Sequence, residues 1–301
     1  MRKTYFVRTR GRVMTLGKRT WIMGIINATP DSFYPKSRAS DVESALELAQ
    51  RMISEGADML DVGGESTRPG SDPVPQDEEL ERVLPVVAAI RKLSDVFISV
   101  DTYKSRVAGA ALQAGADLIN DISGFHWDLE MAATVAQLDA AAIVMHTRGT
   151  PKTMQSLTPS VDIFAEVESH LRGSLLEASR AGLSHDKIII DPGIGFGKSL
   201  ADNLRILRNL DYFQGLDCPV LVGPSRKSFI GKILDQDVHG RLWGTAAAVT
   251  CSILAGAHIV RVHDVAEMKE VAKMGDAFAE SEISEISGQT THFPISKLGN
   301  G

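Results

Sequence analysis

The chain has 301 residues, 44% hydrophobic and 23% charged, enough to bury the core of one large domain or two ordinary ones. A net charge of −6 excludes an overall role on nucleic acid or a membrane surface, because both need concentrated positive charge. Two cysteines, Cys218 and Cys251, cannot build a disulfide framework; they read as small buried hydrophobes of a chain from a reducing compartment, and no apolar run is long enough to span a bilayer.

Residues 1–19 carry seven Lys or Arg and no acid. An organellar targeting peptide is one reading of such a segment. It lacks serine, however, and TYFVRT and RVMTL around Gly11 pattern as two short strands joined by a turn, so a basic hairpin closing one end of a domain is expected.

From Trp21 onward short apolar runs alternate with stretches of helical period. The runs are WIMGIIN, DMLDVGG, FISVDT, LINDIS, AAIVMH, KIIIDPG, CPVLVGPS and IVRVH. Between them, 40–56 places Val42, Ala45, Leu46, Ala49, Met52 and Ile53 on one face, with Ser40 and Glu43 as a capping box and Gly56 at the exit. Residues 77–93 repeat the pattern, with a kink expected at Pro85. Further helices are expected over 104–114, 128–138, 162–181, 199–210, 241–255 and 264–277. Eight strand–helix units point to an α/β fold, a (β/α)8 TIM barrel with an N-terminal β-hairpin, rather than an open doubly wound sheet. One domain is expected over 1–278, followed by a flexible Ser-, Gly- and Thr-rich tail, 279–301.

The stretch KIIIDPGIGFGKS, 187–199, carries the strongest local signal. A β-branched run delivers Asp191 to a strand end, and Gly193, Gly195 and Gly197 free the backbone to turn and to approach a ligand closely. A nucleotide loop is excluded by spacing: Pro192 stands where the Walker pattern needs glycine, and Lys198 where the dinucleotide pattern needs its third. The expected strand ends hold Asn27, Asp61, Asp101, Asn120, Asp121, His146, Asp191, Ser225 and His263, with Arg68, Lys227 and Arg261 as cations. Barrels of this kind bind phosphate around the loops after strands seven and eight, where Ser225, Arg226, Lys227, Arg261 and His263 fall. A polar heterocycle carrying an anionic phosphate group suits both halves of that ring.

MGIINATPDSF, DVGGESTRPGS, SVDTYKSRVA, LINDISG, MHTRGTPKTMQ, DPGIGFGKS, GPSRKSFIG and RVHDV, in this order, resemble the dihydropteroate synthases, pterin-binding enzymes of the folate pathway. The resemblance implies condensation of 6-hydroxymethyl-7,8-dihydropterin diphosphate with p-aminobenzoate, sulfonamide sensitivity, Mg²⁺, a cytoplasmic location and a homodimer. It further implies a pterin pocket of Asp101, Asn120, Asp191 and Lys227, with Met145 beside the ring, and diphosphate contacts from Asn27, Arg68, Arg261 and His263, with Asn27 also a metal ligand and Val262 a further substrate-binding residue. Thr67 and Ser225, with Phe33 and Pro69, then shape the aminobenzoate end. Asp101, Lys227, Arg261 and His263 form the implied catalytic set, acting on a dissociative substitution in which the departing oxygen gains negative charge and the pterin positive charge.

Two positions depart from the family pattern: Tyr34 to Arg38 replace a Ser-Asp-Gly-Gly-like turn after PDSF, and Thr147 replaces a common Met. His126 and Trp127 read as packing residues. Two alternatives stand beside the synthase: a corrinoid-directed methyltransferase on a related barrel, which handles no diphosphate, and a catalytically silent pterin-binding paralogue. Arg68 and the SRK and RVH triplets favour the synthase. Finally, the Pro-, Gly- and Ser-rich loops at 28–39 and 64–76 are expected to be mobile until the pterin diphosphate binds.

Overall fold

Strands β1 (Tyr5–Thr9) and β2 (Arg12–Leu16) pair antiparallel across a two-residue turn at Arg10 and Gly11, both with positive φ, the geometry that matches strand twist. The computed structural model describes residues 2–28, 38–68, 70–154 and 161–281. The expected basic hairpin is therefore present, and its charge has a local explanation. Arg2 pairs with Asp276, Lys3 with Asp217, Arg8 with Asp186, Arg12 with Asp117 and Arg19 with Asp58. The acids beneath the hairpin neutralise it.

Eight parallel strands follow: β3 (Trp21–Asn27), β4 (Met59–Gly63), β5 (Phe97–Asp101), β6 (Leu118–Asp121), β7 (Ala141–Met145), β8 (Ile188–Asp191), β9 (Leu221–Val222) and β10 (Ile259–Val262). They pair in the order β8-β7-β6-β5-β4-β3-β10-β9. The ring closes where the Ile190 N–H donates to Pro219 O at 3.0 Å and Ile190 bridges Val220. The seventh run shrinks to two residues because Pro219 and Pro224 flank it and neither can donate to a ladder.

The expected helices are α1 (Arg38–Ser54), α2 (Gln76–Leu93), α3 (Ser105–Ala114), α4 (Met131–Gln137), α5 (Ile163–Arg180), α6 (Leu200–Arg208), α8 (Leu242–Leu254) and α9 (Val265–Ser281). Three details differ from expectation. The first helix begins two residues before Ser40, so Ser40 lies inside it and is not its cap. A short helix, α7 (Ser228–Leu234), fills a segment that periodicity left unassigned, since seven residues containing Gly231 give too few turns to register. The last helix runs to Ser281, past the expected end of the domain at 278. Pro85 lies inside α2, which continues through it as one element.

Strand alternation divides the core in two. Met23, Met59, Leu118, Ala141, Ile143, Ile189, Leu221 and Ile259 point into the barrel and pack on Val7, Met14 and Leu16 of the hairpin, which plugs its N-terminal end. Burying those three hairpin side chains stabilises the plug by about 1.5–3 kcal/mol each. Their strand neighbours, among them Ile22, Leu60, Ile98, Ile119, Val144, Ile190 and Val260, face the helices. Cys218 is buried, but Cys251 is exposed on α8, contrary to expectation, because its helix turns that position outward.

Candidate active site

At the C-terminal mouth the inward alternation ends in polar groups. Asp61 on β4, Asp101 at the end of β5 and Asn120 on β6 are buried side by side, and Arg261 enters from β10. Arg261 Nε donates to Asp61 Oδ2 at 2.6 Å and Nη2 to Asp101 Oδ2 at 2.9 Å. Burial alone lowers the guanidinium pKa, but Asp61 and Asp101 outweigh it and hold Arg261 above its ordinary value. Burial pushes Asp101 up, against the pull of Arg261. Asp61 was expected only as a strand end; its role as the anchor of Arg261 was missed, though the inward spacing of DMLDVGG is its signal.

Across the mouth, Asp191 closes β8 and its Oδ1 accepts the Gly193 N–H at 2.7 Å. The glycines that follow turn as expected. A Cβ on Gly193 would lie 1.8 Å from His146 O, and one on Gly195 2.7 Å from Lys227 Cδ, so close packing against protein requires glycine at both positions. The turn is not loose. The Gly195 N–H donates to Asn203 Oδ1 at 2.7 Å, and Lys198 Nζ lies 2.8 Å from His146 Nδ1 and 3.2 Å from Phe196 O. Lys198 and His146, with the His170 ring edge-on 4.9 Å from that of His146, thus form a support beneath the turn that the sequence did not reveal. Burial, reinforced by Lys227, brings Lys198 down to about 7, with Asp191 opposing.

Lys227 donates to Ile194 O and sits 4.4 Å over the Phe196 ring. It forms no direct ion pair with Asp191. Burial holds its ammonium down to about 8; Asp191 opposes the shift and Arg261 adds to it. Ser225 is buried with its hydroxyl 2.9 Å from His263 Nδ1, so the fold brings it to the histidine. Burial and the nearby Arg261 and Arg226 lower His263 to about 4. Arg226, grouped above with the phosphate cations, is spent on Asp264, which it contacts through Nε at 2.9 Å and again through Nη2. Arg68 is exposed and its guanidinium has no partner among the described residues.

Asn27 ends β3 exposed at the mouth, Met145 is buried at the end of β7, and Thr67 is half-buried after β4. Val262 alternates outward into the helix-facing core, so its side chain leaves the mouth. Phe33 and Pro69 lie outside the described residues, as do the Tyr34-to-Ser37 departure and residues 282–301. His126 packs at a tilt against His170, centroids 4.2 Å apart, and Trp127 meets Tyr103 edge-on at 4.9 Å, as packing partners do. A cleft of about 460 Å³ lies at the opposite end, between Arg8, Gly11, Arg12, Asp139, Gly182 and Lys187. Its cations are already paired with Asp186, Asp117 and Asp139, whereas the mouth gathers converging acceptors and an uncommitted cation.

The barrel and this mouth define a pterin-binding enzyme: the family model for pterin-binding enzymes matches residues 23–263, and the chain belongs to that family. Within it the chain belongs to the dihydropteroate synthases. It is 48% identical over 262 residues to the dihydropteroate synthase of Synechocystis, covering 87% of this chain and 91% of the relative. The Yersinia pestis dihydropteroate synthase, solved with a sulfonamide drug complex, superposes with a TM-score of 0.84 at 39% identity, covering 91% of this chain and 98% of that one. The Burkholderia cenocepacia enzyme, complexed with 7,8-dihydropteroate, gives 0.82 at 39% identity over 92% and 98%.

Proposed function

We propose that the chain condenses 6-hydroxymethyl-7,8-dihydropterin diphosphate with p-aminobenzoate, giving 7,8-dihydropteroate and diphosphate. The observation that carries this reading is the pairing of two halves in one mouth. Asp101, Asn120 and Asp191 converge as a buried floor able to accept from the N–H edge of a pterin, and Arg68 and His263 stand at its rim. Lys227 lies against the turn beside Asp191, where it meets the ring's acceptor side.

Departure of diphosphate from the pterin methylene builds negative charge on the leaving oxygen and positive charge on the ring. Arg68, Arg261 and His263 donate to the departing group, while Asp101 and Asp191 sit near the ring and favour its cationic form. The arylamine nitrogen then attacks the methylene carbon and sheds its proton. No side chain needs to act as a nucleophile, and Thr67 and Ser225 border the amine's approach. Asn27, an exposed amide oxygen at the mouth, suits a hard cation that keeps water and diphosphate oxygens as its other ligands; among the described residues no cluster of three or more His, Cys, Asp or Glu offers a ready cage. Mg²⁺ held there would neutralise diphosphate charge.

Sulfonamides would compete with p-aminobenzoate. We further infer a cytoplasmic homodimer. Its support is the outer face of α8, where Trp243 is 78% and Leu254 55% exposed in line with Cys251, beside Met274 and Phe278 of α9. Among the described residues no helix is long and apolar enough to cross a membrane. The deciding experiment is diphosphate release from the pterin diphosphate: it is expected to depend on added p-aminobenzoate, and release that ignores the amine would defeat the reading. Sedimentation of Trp243→Glu tests the assembly, with a shift from dimer to monomer expected.

A further inference from the structure

We propose that Thr245 and Arg241 are positioning residues: they hold Arg226 in a left-handed backbone conformation and thereby aim Ser225 and Lys227 into the mouth. The proposal rests on the functional reading above. Pro224 to Lys227 form a tight turn, closed by the Lys227 N–H on Pro224 O at 3.3 Å. Its third residue, Arg226, has a φ of +55°. A positive φ at that place is what a type II turn requires, and glycine or asparagine usually supplies it. An arginine stays there only where its surroundings fix it.

Three contacts fix it, each from a different part of the chain. The Arg226 N–H donates to Thr245 Oγ1 at 3.0 Å, and the Arg226 carbonyl accepts from Arg241 Nη1 at 2.9 Å. Its guanidinium holds Asp264 through Nε and Nη2. The two braces are themselves fixed. Thr245 is fully buried on α8, and its hydroxyl proton goes to Arg241 O at 2.9 Å, which leaves the oxygen free to accept from Arg226. The Arg241 side chain crosses α7 at Gly231, where a Cβ would lie 2.5 Å from Nη2, and its Nε donates to Gln236 O at 3.2 Å. The consequence lies on either side of Arg226. Ser225 pairs with His263 as Arg226 pairs with Asp264, so the two loops meet residue for residue, while Lys227 turns to Ile194 O in the turn after Asp191. If Arg226 relaxed to negative φ, the peptide planes flanking it would rotate, and Ser225 and Lys227 could not both keep these partners. Thr245 thus reaches the mouth only through the main chain of one strained residue.

The test is Thr245→Val, which keeps the shape of the side chain and removes the hydroxyl. In the folded variant, nitrogen NMR of the labelled imidazole is expected to show the Nδ1–H tautomer of His263 appearing as Ser225 leaves it. In the same variant kcat/KM for the pterin diphosphate is expected to fall about tenfold or more, the loss of one or more well-placed hydrogen bonds. Thr245→Ser, which keeps the hydroxyl, is expected to restore both. A residue that only packs α8 would lower the melting temperature and leave the folded enzyme's site as it was. An unaltered tautomer in Thr245→Val, a kcat/KM within about twofold of wild type, or a serine variant that behaves like the valine one overturns the proposal. If Thr245→Val does not fold, the half-buried Arg241 decides through Arg241→Met, which removes the donor to the Arg226 carbonyl. The same two changes there support the proposal, and the absence of either overturns it. A wild-type chain that releases no diphosphate is a different result, the failure of the functional reading itself, and it leaves the tautomer measurement standing.

Discussion

Ser225 Oγ stands 2.9 Å from His263 Nδ1 and accepts the main-chain N–H of the same histidine at 3.2 Å. A hydroxyl has one proton and two lone pairs, so with one lone pair taken by the backbone donor its proton is available to Nδ1, and that pairing leaves the imidazole's own proton on Nε2. The lowered pKa of His263, about 4, keeps the ring neutral near pH 7. Ser225→Ala removes the clamp. Nitrogen NMR of the labelled imidazole is expected to show the Nδ1–H tautomer appearing, with kcat/KM for the pterin diphosphate falling about tenfold, the loss of one useful hydrogen bond. Ser225→Thr should restore both; an unaltered tautomer in the alanine variant contradicts the clamp.

Lys227 gives a pH prediction whose sign is set by its environment. Burial lowers its pKa to about 8, Arg261 adding to the effect while Asp191 and Asp101 oppose it, so the ammonium is lost as pH rises through 8. Affinity for the pterin diphosphate is expected to fall above that pH, and Lys227→Arg, whose charge does not titrate there, should flatten the profile. Gly195→Ala tests the same contact from the backbone side. Its φ of +85° and a Cβ 2.7 Å from Lys227 Cδ mean that substitution displaces the lysine as well as straining the turn. Titration calorimetry across pH 6 to 10 reads both variants, and a wild-type affinity that stays flat past pH 9 removes Lys227 as the titrating group.

The order of eight strands was legible because each reads as a short buried run ending in a polar residue, and the hairpin because Arg10 and Gly11 separate two alternating segments. What could not be read was direction and partnership. Asn27, Asp101 and Asp191 were found as strand ends and Arg261 as a cation of the ring, yet nothing local says that Arg226 is consumed by Asp264 or that Ser225 turns to His263, since each partner lies 38 residues away in sequence. Asp61 was given no partner because it sits one alternation below the mouth, where it accepts from Asn120 and Arg261. The three glycines were legible as a tight turn with close approach, but that Gly193 and Gly195 pack on His146 and Lys227 is set by the fold. The helix expected over 77–93 runs through Pro85 as one element, with Val83, Val86, Val87 and Ile90 buried along it to offset the lost hydrogen bond.

His258 links the hairpin to the barrel. Its Nδ1 accepts the Val220 N–H at 3.1 Å and its Nε2 donates to Lys3 O at 3.1 Å, so protonation would destroy an acceptor. Burial lowers its pKa to about 4, Arg2 adding to the effect while the Lys3 carbonyl opposes it. A histidine depressed in the folded state leaves stability untouched above its unfolded pKa near 6.5; as pH falls from there to about 4 the unfolded chain takes up a proton that the folded chain refuses. The loss is on the order of 3 kcal/mol when complete. Buried Asp101 and Asp121, with raised pKa values, act in the opposite sense, so the informative measurement is a difference. His258→Asn, which keeps one acceptor and one donor, should flatten the slope of melting temperature against pH between 6.5 and 4 relative to wild type. Parallel slopes would show that His258 titrates normally.

The loop at 64–76 was expected to be mobile until the pterin diphosphate binds, and the fold narrows where that motion is possible. Glu65 is nearly buried; its Oε2 accepts the Val74 N–H at 3.0 Å and Lys104 Nζ at 2.6 Å, and its Oε1 accepts the Tyr103 hydroxyl at 2.8 Å. Lys104 also donates to Val74 O at 2.7 Å and Glu79 Oε2 at 2.5 Å. The two ends of the loop are therefore riveted to the start of α3, while Thr67 and Arg68 near the tip have no comparable anchor. The Gly70 N–H reaches across to Pro151 O at 2.9 Å, a single brace between loops. Gating is expected to be confined to the tip: the Val74 amide protected from hydrogen exchange with or without ligand, and the amides of Thr67 and Arg68 protected only with pterin and diphosphate present. Lys104→Met should unlock the base, leaving Glu65 and Glu79 buried without their cation at a cost of about 3–5 kcal/mol, and should expose the Val74 amide in the free protein. Equal protection at the tip with and without ligand would remove the gate, and a Val74 amide still protected in Lys104→Met would remove the rivet.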